Sequence, residues 1–159
     1  MLIILEGPEC AGKTTLAGVL STQTGYPVVH MDKPKTAGEG LRMAGMYKHF
    51  IANNKNTILD RSWYSEMVYG PIMRDKSFIT TEQMYDLEQA VIDRRGGMII
   101  HCTDRSFALW NRCKKRGEDY ITEINALISI KESFEQLFYT MPHRLPIVKY
   151  HLSDFKILS

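Results

Sequence analysis

The sequence predicts an α/β fold, a three-layer α/β/α sandwich in which helices cover both faces of a parallel sheet. Short apolar runs bounded by turn residues alternate with longer segments of helical periodicity, which is the pattern of successive strand–helix–strand units. A chain of 159 residues, 44% of them hydrophobic, can bury one sizeable core and is short for two. We therefore expect a single domain over residues 1–159.

Five apolar runs are the predicted strands. They lie at 2–5, 27–30, 57–59, 98–101 and 146–150. The helical segments between them fall near 13–23, 39–53, 63–73, 81–95, 105–116 and 120–140. Thr80 and Gln83 form a capping sequence before one helix, and Asp104 is placed to cap another. Such a sheet is expected to bind its ligand in the crevice at the carboxyl ends of its strands.

Composition narrows the class of partner and the compartment. The 20 basic and 18 acidic residues leave a net charge of +2, so no global field favours a nucleic acid or a membrane. The three cysteines form neither a C-x-x-C pair nor a zinc pattern, which fits a reducing compartment. No run approaches the ~20 apolar residues of a membrane span, and the first residues lack the basic region of a signal peptide. We expect a cytoplasmic protein with a small-molecule partner and no membrane partner.

The stretch EGPECAGKTT at residues 6–15 carries the first chemical motif. Its glycines, lysine and threonine have the spacing of a phosphate-binding P-loop, between an apolar strand and a helical segment as the mechanism requires. The backbone N–H groups and the helix N-terminus attract phosphate, Lys13 bridges the β- and γ-phosphates, and Thr14 ligates Mg²⁺. The motif predicts a P-loop NTPase fold that binds ATP and Mg²⁺. The residues predicted to bind ATP are Gly7, Pro8, Glu9, Cys10, Ala11, Gly12, Lys13, Thr14 and Thr15.

The second motif is ILDRSWYSEMVYG, in which an aspartate and an arginine follow an apolar strand. Asp60 can hold Mg²⁺, through water, or accept a proton from a hydroxyl, and Arg61 can grip a phosphate. Trp63 and Tyr64 either stack on a base or belong to the core. Arg74, at the end of the helix, either contacts a phosphate or is a C-terminal charge.

One glutamate of this motif and the histidines of the whole chain are the remaining candidate groups. Glu66 is predicted to lie at the surface, with contact to a sugar hydroxyl as the alternative, and the five histidines are predicted to be structural.

At these motifs the sequence resembles the thymidylate kinase family of deoxynucleoside monophosphate kinases. The family's E-G-x-[DE]-x-A-G-K-[ST]-T is matched at 6–15. Its D-R-Y-x-x-S-x-x-x-Y aligns with Asp60, Arg61, Ser65 and Tyr69, with a serine in place of the aromatic residue. The resemblance implies that Arg61 holds the 5′-phosphate of the acceptor, and that Ser65 and Tyr69 line its pocket. It also implies that the P-loop glutamate, Glu9, contacts the sugar or the acceptor side.

The same resemblance implies where a catalytic arginine lies. Family members carry it either in the P-loop or in a lid, and Cys10 occupies the P-loop position. The lid, predicted at about 112–120, would then supply Arg112 or Arg116. A basic segment that closes over ATP adds positive charge and excludes water. Family members are often dimers, which makes a homodimer possible here, and so compact a kinase would suit a viral genome.

The sequence is consistent with several phosphoryl acceptors. Asp60-Arg61-Ser62 also resembles the E-R-S motif of deoxynucleoside kinases, whose acidic residue acts as base toward the sugar 5′-hydroxyl. The leading hypothesis is ATP- and Mg²⁺-dependent phosphoryl transfer to a deoxynucleoside monophosphate, with Lys13, Asp60 and a lid arginine as catalytic groups. The alternatives are a deoxynucleoside, a hydroxymethylated pyrimidine nucleotide or DNA base, and a regulatory module that binds a nucleotide without phosphorylating an acceptor. The near-neutral charge counts against DNA.

Overall fold

A computed structural model describes residues 1–117 and 123–154. Its strands are β1 (Leu2–Glu6), β2 (Val28–His30), β3 (Thr57–Asp60), β4 (Gly97–Thr103) and β5 (Ile147–His151). Its helices are α1 (Lys13–Thr24), α2 (Ala37–Leu41), α3 (Met43–Asn53), α4 (Trp63–Arg74), α5 (Thr81–Arg94), α6 (Ser106–Arg116) and α7 (Ile124–Tyr139). None of the described helices is both long and apolar enough to span a membrane.

The sheet has the strand order β2-β3-β1-β4-β5, and every neighbouring pair is parallel. All five residues of the central strand β1 are buried, as expected for a parallel strand covered on both faces. This arrangement confirms the predicted three-layer fold. Because the chain leaves β1 toward β2 on one side and later returns to pair β4 on the other, a crevice opens at the carboxyl ends of the central strands.

The predicted strands all exist, whereas two predicted helices differ from the structure. The segment predicted as one helix at 39–53 is divided at Arg42, which ends α2 and precedes α3. Two glycines in the five-residue α2 weaken helix propagation there. The helix predicted from 120 begins at Ile124, and residues 118–122 lie outside the described part of the chain.

The aromatic pair after the aspartate–arginine motif belongs to the core. Trp63 and Tyr64 are both 0% exposed. The Trp63 ring lies 5.4 Å from the Tyr47 ring and 5.1 Å from the Tyr64 ring. The prediction that they stack on a base is therefore wrong for both residues. Burial of two large aromatic surfaces at the first turn of α4 stabilises the helix against the rest of the core instead.

A buried carboxylate joins α5 to the loop after α7. Glu88 is 0% exposed and accepts hydrogen bonds from the Tyr64 hydroxyl at 2.9 Å and the Arg144 backbone N–H at 2.6 Å. His143 lies with Nδ1 2.9 Å from Glu88 and Nε2 2.6 Å from the Leu137 carbonyl oxygen. Both ring nitrogens face acceptors, so the ring is an imidazolium that donates from both sides.

This imidazolium should make stability depend on pH. Burial lowers the pKa of His143, but the hydrogen bonds to Glu88 and Leu137 and the charge of Glu88 outweigh it, so the net pKa is raised. Its stabilisation is then complete below the unfolded pKa of about 6.5 and is lost as pH rises through the raised folded value. We expect the free energy of unfolding, measured in urea between about pH 6 and about pH 9, to fall with pH. His143→Gln should flatten that fall, and His49→Gln, at an exposed histidine, should not; identical profiles in all three proteins would contradict the assignment.

Candidate active site

The P-loop occupies the turn between β1 and α1. Gly7 has φ 148°, and a Cβ atom there would lie 1.9 Å from the Cys102 carbonyl oxygen, so a side chain does not fit. Gly12, with φ 82°, is the N-cap of α1 and makes no side-chain cap hydrogen bond. The first N–H groups of α1 are therefore presented at a helix N-terminus, where partial positive charge attracts an anion.

The lysine of the loop points back into it. The Lys13 ammonium donates to the carbonyl oxygens of Gly7, at 2.9 Å, and Pro8, at 2.6 Å. Burial, and then the charge of Arg61, lower its pKa to about 8, against the opposing effect of nearby acidic groups. An anion bound in the loop would raise the pKa of Lys13 again, because a nearby negative charge favours the charged amine.

An aspartate, a threonine and a histidine meet beside the loop. The Thr14 hydroxyl donates to Oδ2 of Asp60 at 3.2 Å, and Nδ1 of His30 lies 3.3 Å from the same oxygen. Oδ1 of Asp60 is buried and has no hydrogen-bond partner among the described residues. His30, predicted to be structural, lies on the wall of the crevice.

These oxygen atoms fit Mg²⁺ bound together with a nucleotide. Within the described residues no cluster of three or more His, Cys, Asp or Glu side chains could hold a metal alone. Mg²⁺ in phosphate sites commonly takes one or two protein ligands and completes its shell with phosphate oxygens and water. The Thr14 hydroxyl and the unpartnered oxygen of Asp60 match that requirement.

The other motif residues form a cluster against the P-loop. Arg61, in the left-handed region at φ 70°, donates to the Ser65 hydroxyl at 3.0 Å and the Gly7 carbonyl at 3.3 Å. Its guanidinium lies 3.6 Å from the Glu9 carboxylate and 5.2 Å from the centre of the Tyr69 ring. The Tyr69 hydroxyl donates to Glu9 at 2.6 Å. Four predicted site residues from two distant segments thus share one surface.

A fifth group, Glu6, holds that surface in place. Its Oε1 accepts hydrogen bonds from the backbone N–H groups of Ser62, at 2.7 Å, and Ser65, at 3.1 Å. The two serine hydroxyls bond the same carboxylate at 2.8 and 2.6 Å. Burial raises its pKa, although Arg61, the serines and Lys13 oppose the rise. The sequence motif includes Glu6 without a role; an acidic residue ending a buried strand is the signal that it has one.

Two cavities meet at this cluster. The first, which we term the loop cavity, measures about 590 Å³ and is lined by the P-loop, Asp60, Arg112, Lys115 and Arg116. The second, the α4 cavity, measures about 400 Å³. Its lining includes three methionines, Met31, Met43 and Met73, together with Tyr47, Ser65, Tyr69, Glu66 and Arg74. Glu9, His30 and Arg61 line both cavities, so a group held by Arg61 faces the P-loop.

Arg112 and Arg116, the two arginines predicted in the lid, both lie in α6 but have different surroundings. Arg112 pairs with the buried Asp104 carboxylate and donates to the Cys10 carbonyl at 3.1 Å. Arg116 lies with a guanidinium nitrogen 3.9 Å from the Cys10 sulfur. The predicted lid continues beyond them to 120, and residues 118–120 lie outside the described part of the chain.

Asp104 does not cap α6 as predicted. The N-cap of α6 is Arg105, which makes no side-chain cap hydrogen bond. Asp104 instead binds Arg112 and accepts a hydrogen bond from the Ser153 hydroxyl at 2.6 Å. Burial raises its pKa, but the hydrogen bonds from Ser153, Arg112 and the Arg105 backbone outweigh burial and lower it. The local sequence pattern predicts that Asp104 caps α6, but its side chain pairs with Arg112 instead.

An ion pair between a buried glutamate and a partly exposed arginine of α4 lines the α4 cavity. Glu66, predicted at the surface, is 4% exposed; it pairs with Arg74 and accepts a hydrogen bond from the Phe78 backbone N–H at 3.0 Å. The Arg74 guanidinium lies 4.7 Å from the centre of the Phe78 ring. Its Nε is buried without a partner among the described residues. Arg74 is therefore more than an exposed C-terminal charge.

Comparison with known proteins finds a relative in Bacillus subtilis. No family model matches the chain. It is 33% identical over 138 residues to the SPbeta prophage-derived uncharacterized protein YorR of Bacillus subtilis (strain 168), covering 86% of this chain and 81% of that protein.

Solved structures have the same fold. A crystal structure of YorR from Bacillus subtilis in complex with phosphorylated GDP matches with a TM-score of 0.83 at 24% identity, covering 98% of this chain and 88% of that one. Deoxyadenosine kinase from M. mycoides with bound dATP matches with a TM-score of 0.66 at 15% identity, covering 95% and 91%. The same kinase with bound dCTP gives 0.64 at 15% identity, covering 95% and 90%. The chain belongs to the family of YorR and has the fold of the P-loop nucleotide kinases.

Proposed function

We propose that this protein is a kinase that transfers the γ-phosphoryl group of ATP to a deoxynucleoside monophosphate. The observation that carries the proposal is the position of Arg61 on the wall shared by the loop cavity and the α4 cavity. A phosphate held there from the α4 cavity faces a γ-phosphate held by the P-loop. That geometry supports in-line transfer between two bound phosphates.

The donor side of the proposal rests on the loop cavity. The N–H groups at the start of α1 bind the β-phosphate, and Lys13 leaves its two loop carbonyls to contact the β- and γ-phosphates. Thr14 and Asp60 hold Mg²⁺, which supplies positive charge to the phosphate oxygens when bound. Among the residues that the structure describes, the Arg116 guanidinium makes a single long contact, to the Cys10 sulfur at 3.9 Å, so of the two arginines predicted in the lid we propose it as the cation for the transferring group. Arg112, paired with buried Asp104, supports the P-loop through the Cys10 carbonyl.

The acceptor side rests on the α4 cavity. The pKa of Arg61 is raised; burial works against its charge, and Tyr69, Glu6 and Glu9 more than compensate. The arginine is therefore charged when it meets the acceptor phosphate. Glu9 and Tyr69, joined by a hydrogen bond of 2.6 Å, lie where they can contact the sugar. A phosphate nucleophile is already ionised, so Asp60 need not act as a base.

We further propose guanine as the preferred base. The methionines and Tyr47 of the α4 cavity supply an apolar slot for a ring, and Arg74 adds a guanidinium at its wall. Arginine pairs in a bidentate manner with O6 and N7 of guanine. The YorR structure that this chain resembles contains phosphorylated GDP, which supports the same base.

Substitution of Arg74 tests base recognition. Arg74→Lys keeps a cation beside Glu66 but removes the planar fork. We expect kcat/KM for dGMP to fall by about 10- to 100-fold, while kcat/KM for dCMP changes little. Urea unfolding of the variant separates this effect from loss of stability. An equal fall for every base would mean that Arg74 has a structural role only.

A second candidate is a deoxynucleoside kinase. The buried Oδ1 of Asp60, which has no partner among the described residues, favours it, because such an oxygen can accept a proton from a sugar hydroxyl. The shared fold with deoxyadenosine kinase is compatible with both acceptors. In that reaction Asp60 would act as the base, and Arg61 would bind the transferring phosphate.

One assay separates these functions. ATP consumption is measured with the four common deoxynucleoside monophosphates, the corresponding deoxynucleosides, a hydroxymethylated pyrimidine nucleotide and DNA. We expect turnover with a monophosphate, dGMP first. Turnover with nucleosides alone would replace the proposal with the second candidate. ATP binding without acceptor-dependent turnover would indicate a regulatory nucleotide-binding module.

A further inference from the structure

Two cysteines from distant parts of the chain meet behind the P-loop. Cys10 lies inside the loop and Cys113 in α6, and their sulfur atoms are 2.7 Å apart. Both residues are buried, at 6% and 2% exposure. We propose that Cys10 and Cys113 form a reversible disulfide that switches the kinase off. The activity part of this inference rests on the proposed function; the disulfide itself does not.

The bond needs little movement. A disulfide has an S–S distance of about 2.05 Å, so the two sulfurs must approach by roughly 0.7 Å. Cys10 also has φ 62°, in the left-handed region that non-glycine residues rarely adopt. The third cysteine, Cys102, lies in β4 at 0% exposure, and its thiol donates to the Ile100 carbonyl oxygen at 3.9 Å. It serves as a matched control.

An oxidant can reach the pair from one side. Cys10 is among the residues that line the loop cavity and Cys113 is not, so a small molecule that enters this cavity comes closer to Cys10 than to Cys113. The Arg116 guanidinium lies 3.9 Å from the Cys10 sulfur, and a cation there stabilises the negative charge that develops during thiol–disulfide exchange. ATP bound in the same cavity would block the approach.

The chemistry is an exchange with a low-molecular-weight disulfide such as oxidised glutathione. The Cys10 sulfur attacks one sulfur of the oxidant, whose S–S bond breaks and releases the first small thiol. Cys113 then attacks the Cys10 sulfur of the mixed disulfide and expels the second small thiol. Two protein thiols are oxidised, one small disulfide is reduced to two thiols, and the two cysteine protons pass to the departing sulfurs.

The bond would act directly on the donor site. It would join the P-loop to α6, which carries both lid arginines, and would displace Cys10 within a loop whose N–H groups must meet phosphate oxygens. Displacements approaching 1 Å near reacting groups can lower turnover by about 10²-fold. The bond also closes a long covalent loop, since the two residues are 103 positions apart, and should therefore raise the melting temperature by several degrees.

Oxidised glutathione provides the test on the whole protein. The wild-type chain, Cys113→Ser and Cys102→Ser are each incubated with it, with and without ATP, and each is compared with its own reduced form. Thiols are counted after denaturation, disulfide-linked peptides are mapped by mass spectrometry, and turnover and melting temperature are measured. We expect wild type and Cys102→Ser to form the Cys10–Cys113 bond, lose at least about 10-fold in turnover, melt higher, and recover with a reducing thiol.

Two comparisons test the proposal: Cys113→Ser against wild type, and incubation with ATP against incubation without it. Cys113→Ser should keep the turnover of its reduced form, and ATP should slow formation of the bond in wild type. Retention of all three thiols by oxidised wild type, or a bond that involves Cys102, would overturn the proposal. So would a Cys10–Cys113 bond that leaves turnover unchanged in a protein that phosphorylates an acceptor. A protein that forms the bond and melts higher but has no acceptor would contradict the proposed function, not the disulfide.

Discussion

Replacement of Lys13 by alanine is expected to lower kcat for phosphoryl transfer by about 10³-fold or more. Lys13 is 6% exposed, and its ammonium donates hydrogen bonds to two carbonyl oxygens of the P-loop. A positive charge at that position stabilises the transition state more than it would in water, because the site excludes water and the ammonium is already oriented. Single-turnover kinetics with saturating ATP and acceptor measure the chemical step without the contribution of binding.

Lys115 supplies the matched control. It lines the same loop cavity but belongs to α6 and not to the P-loop. Lys115→Ala removes one positive charge from the cavity and should cost less than about 10-fold. Thermal melting of Lys13→Ala shows whether the loop survives loss of the ammonium. Near-normal kcat in a folded Lys13→Ala protein would contradict the assignment of the loop.

Replacement of Arg61 by alanine is expected to raise KM for the acceptor monophosphate by about 10²-fold or more, with the Kd of ATP nearly unchanged. The side chain lines both cavities, but its contacts are to Ser65, Gly7, Glu9 and Tyr69. Its loss also leaves Glu9, which is partly buried, as an uncompensated negative charge facing the acceptor phosphate. Steady-state kinetics with varied acceptor, together with calorimetric titration of ATP, measure the two effects separately.

Arg61→Lys refines this test. Lysine keeps the charge next to Glu9 but cannot bind a phosphate through a bidentate fork. We expect an intermediate KM for a monophosphate acceptor. Equal losses of ATP and acceptor affinity in Arg61→Ala would place the arginine on the donor phosphates instead. That result would favour the deoxynucleoside kinase, in which the acceptor carries no phosphate.

The sequence predicted well those features that depend on residues close to one another in the chain. A P-loop needs its glycines, lysine and threonine within one turn between a strand and a helix, so residues 6–15 predict the loop almost directly. The same holds for the five strands, since runs buried on both faces are continuously apolar. Arg61, Ser65 and Tyr69 follow the strand before α4 at fixed spacing, and the structure brings them to one wall of the crevice.

The features that the sequence did not predict depend on partners far along the chain. Glu66 alone looks like a surface residue; it is buried because Arg74 and the Phe78 N–H compensate its charge. Asp104 follows a helix-capping pattern locally, yet binds Ser153, 49 residues away. The sequence alone is equally consistent with Trp63 and Tyr64 in a base pocket or in the core. The structure shows that they are buried in the core, where the Trp63 ring packs against Tyr47 and Tyr64.

The sequence by itself determined the layered fold, the P-loop and the chemical identity of the groups at the crevice. Only the tertiary structure decided that Glu6 anchors the Arg61 turn, that Glu66 and Arg74 line the α4 cavity, and that Cys10 meets Cys113. The physical reason is the range of the interactions. Turn geometry and strand periodicity act between near neighbours in the chain, whereas the ionisation and burial of a side chain depend on whatever the completed fold packs against it.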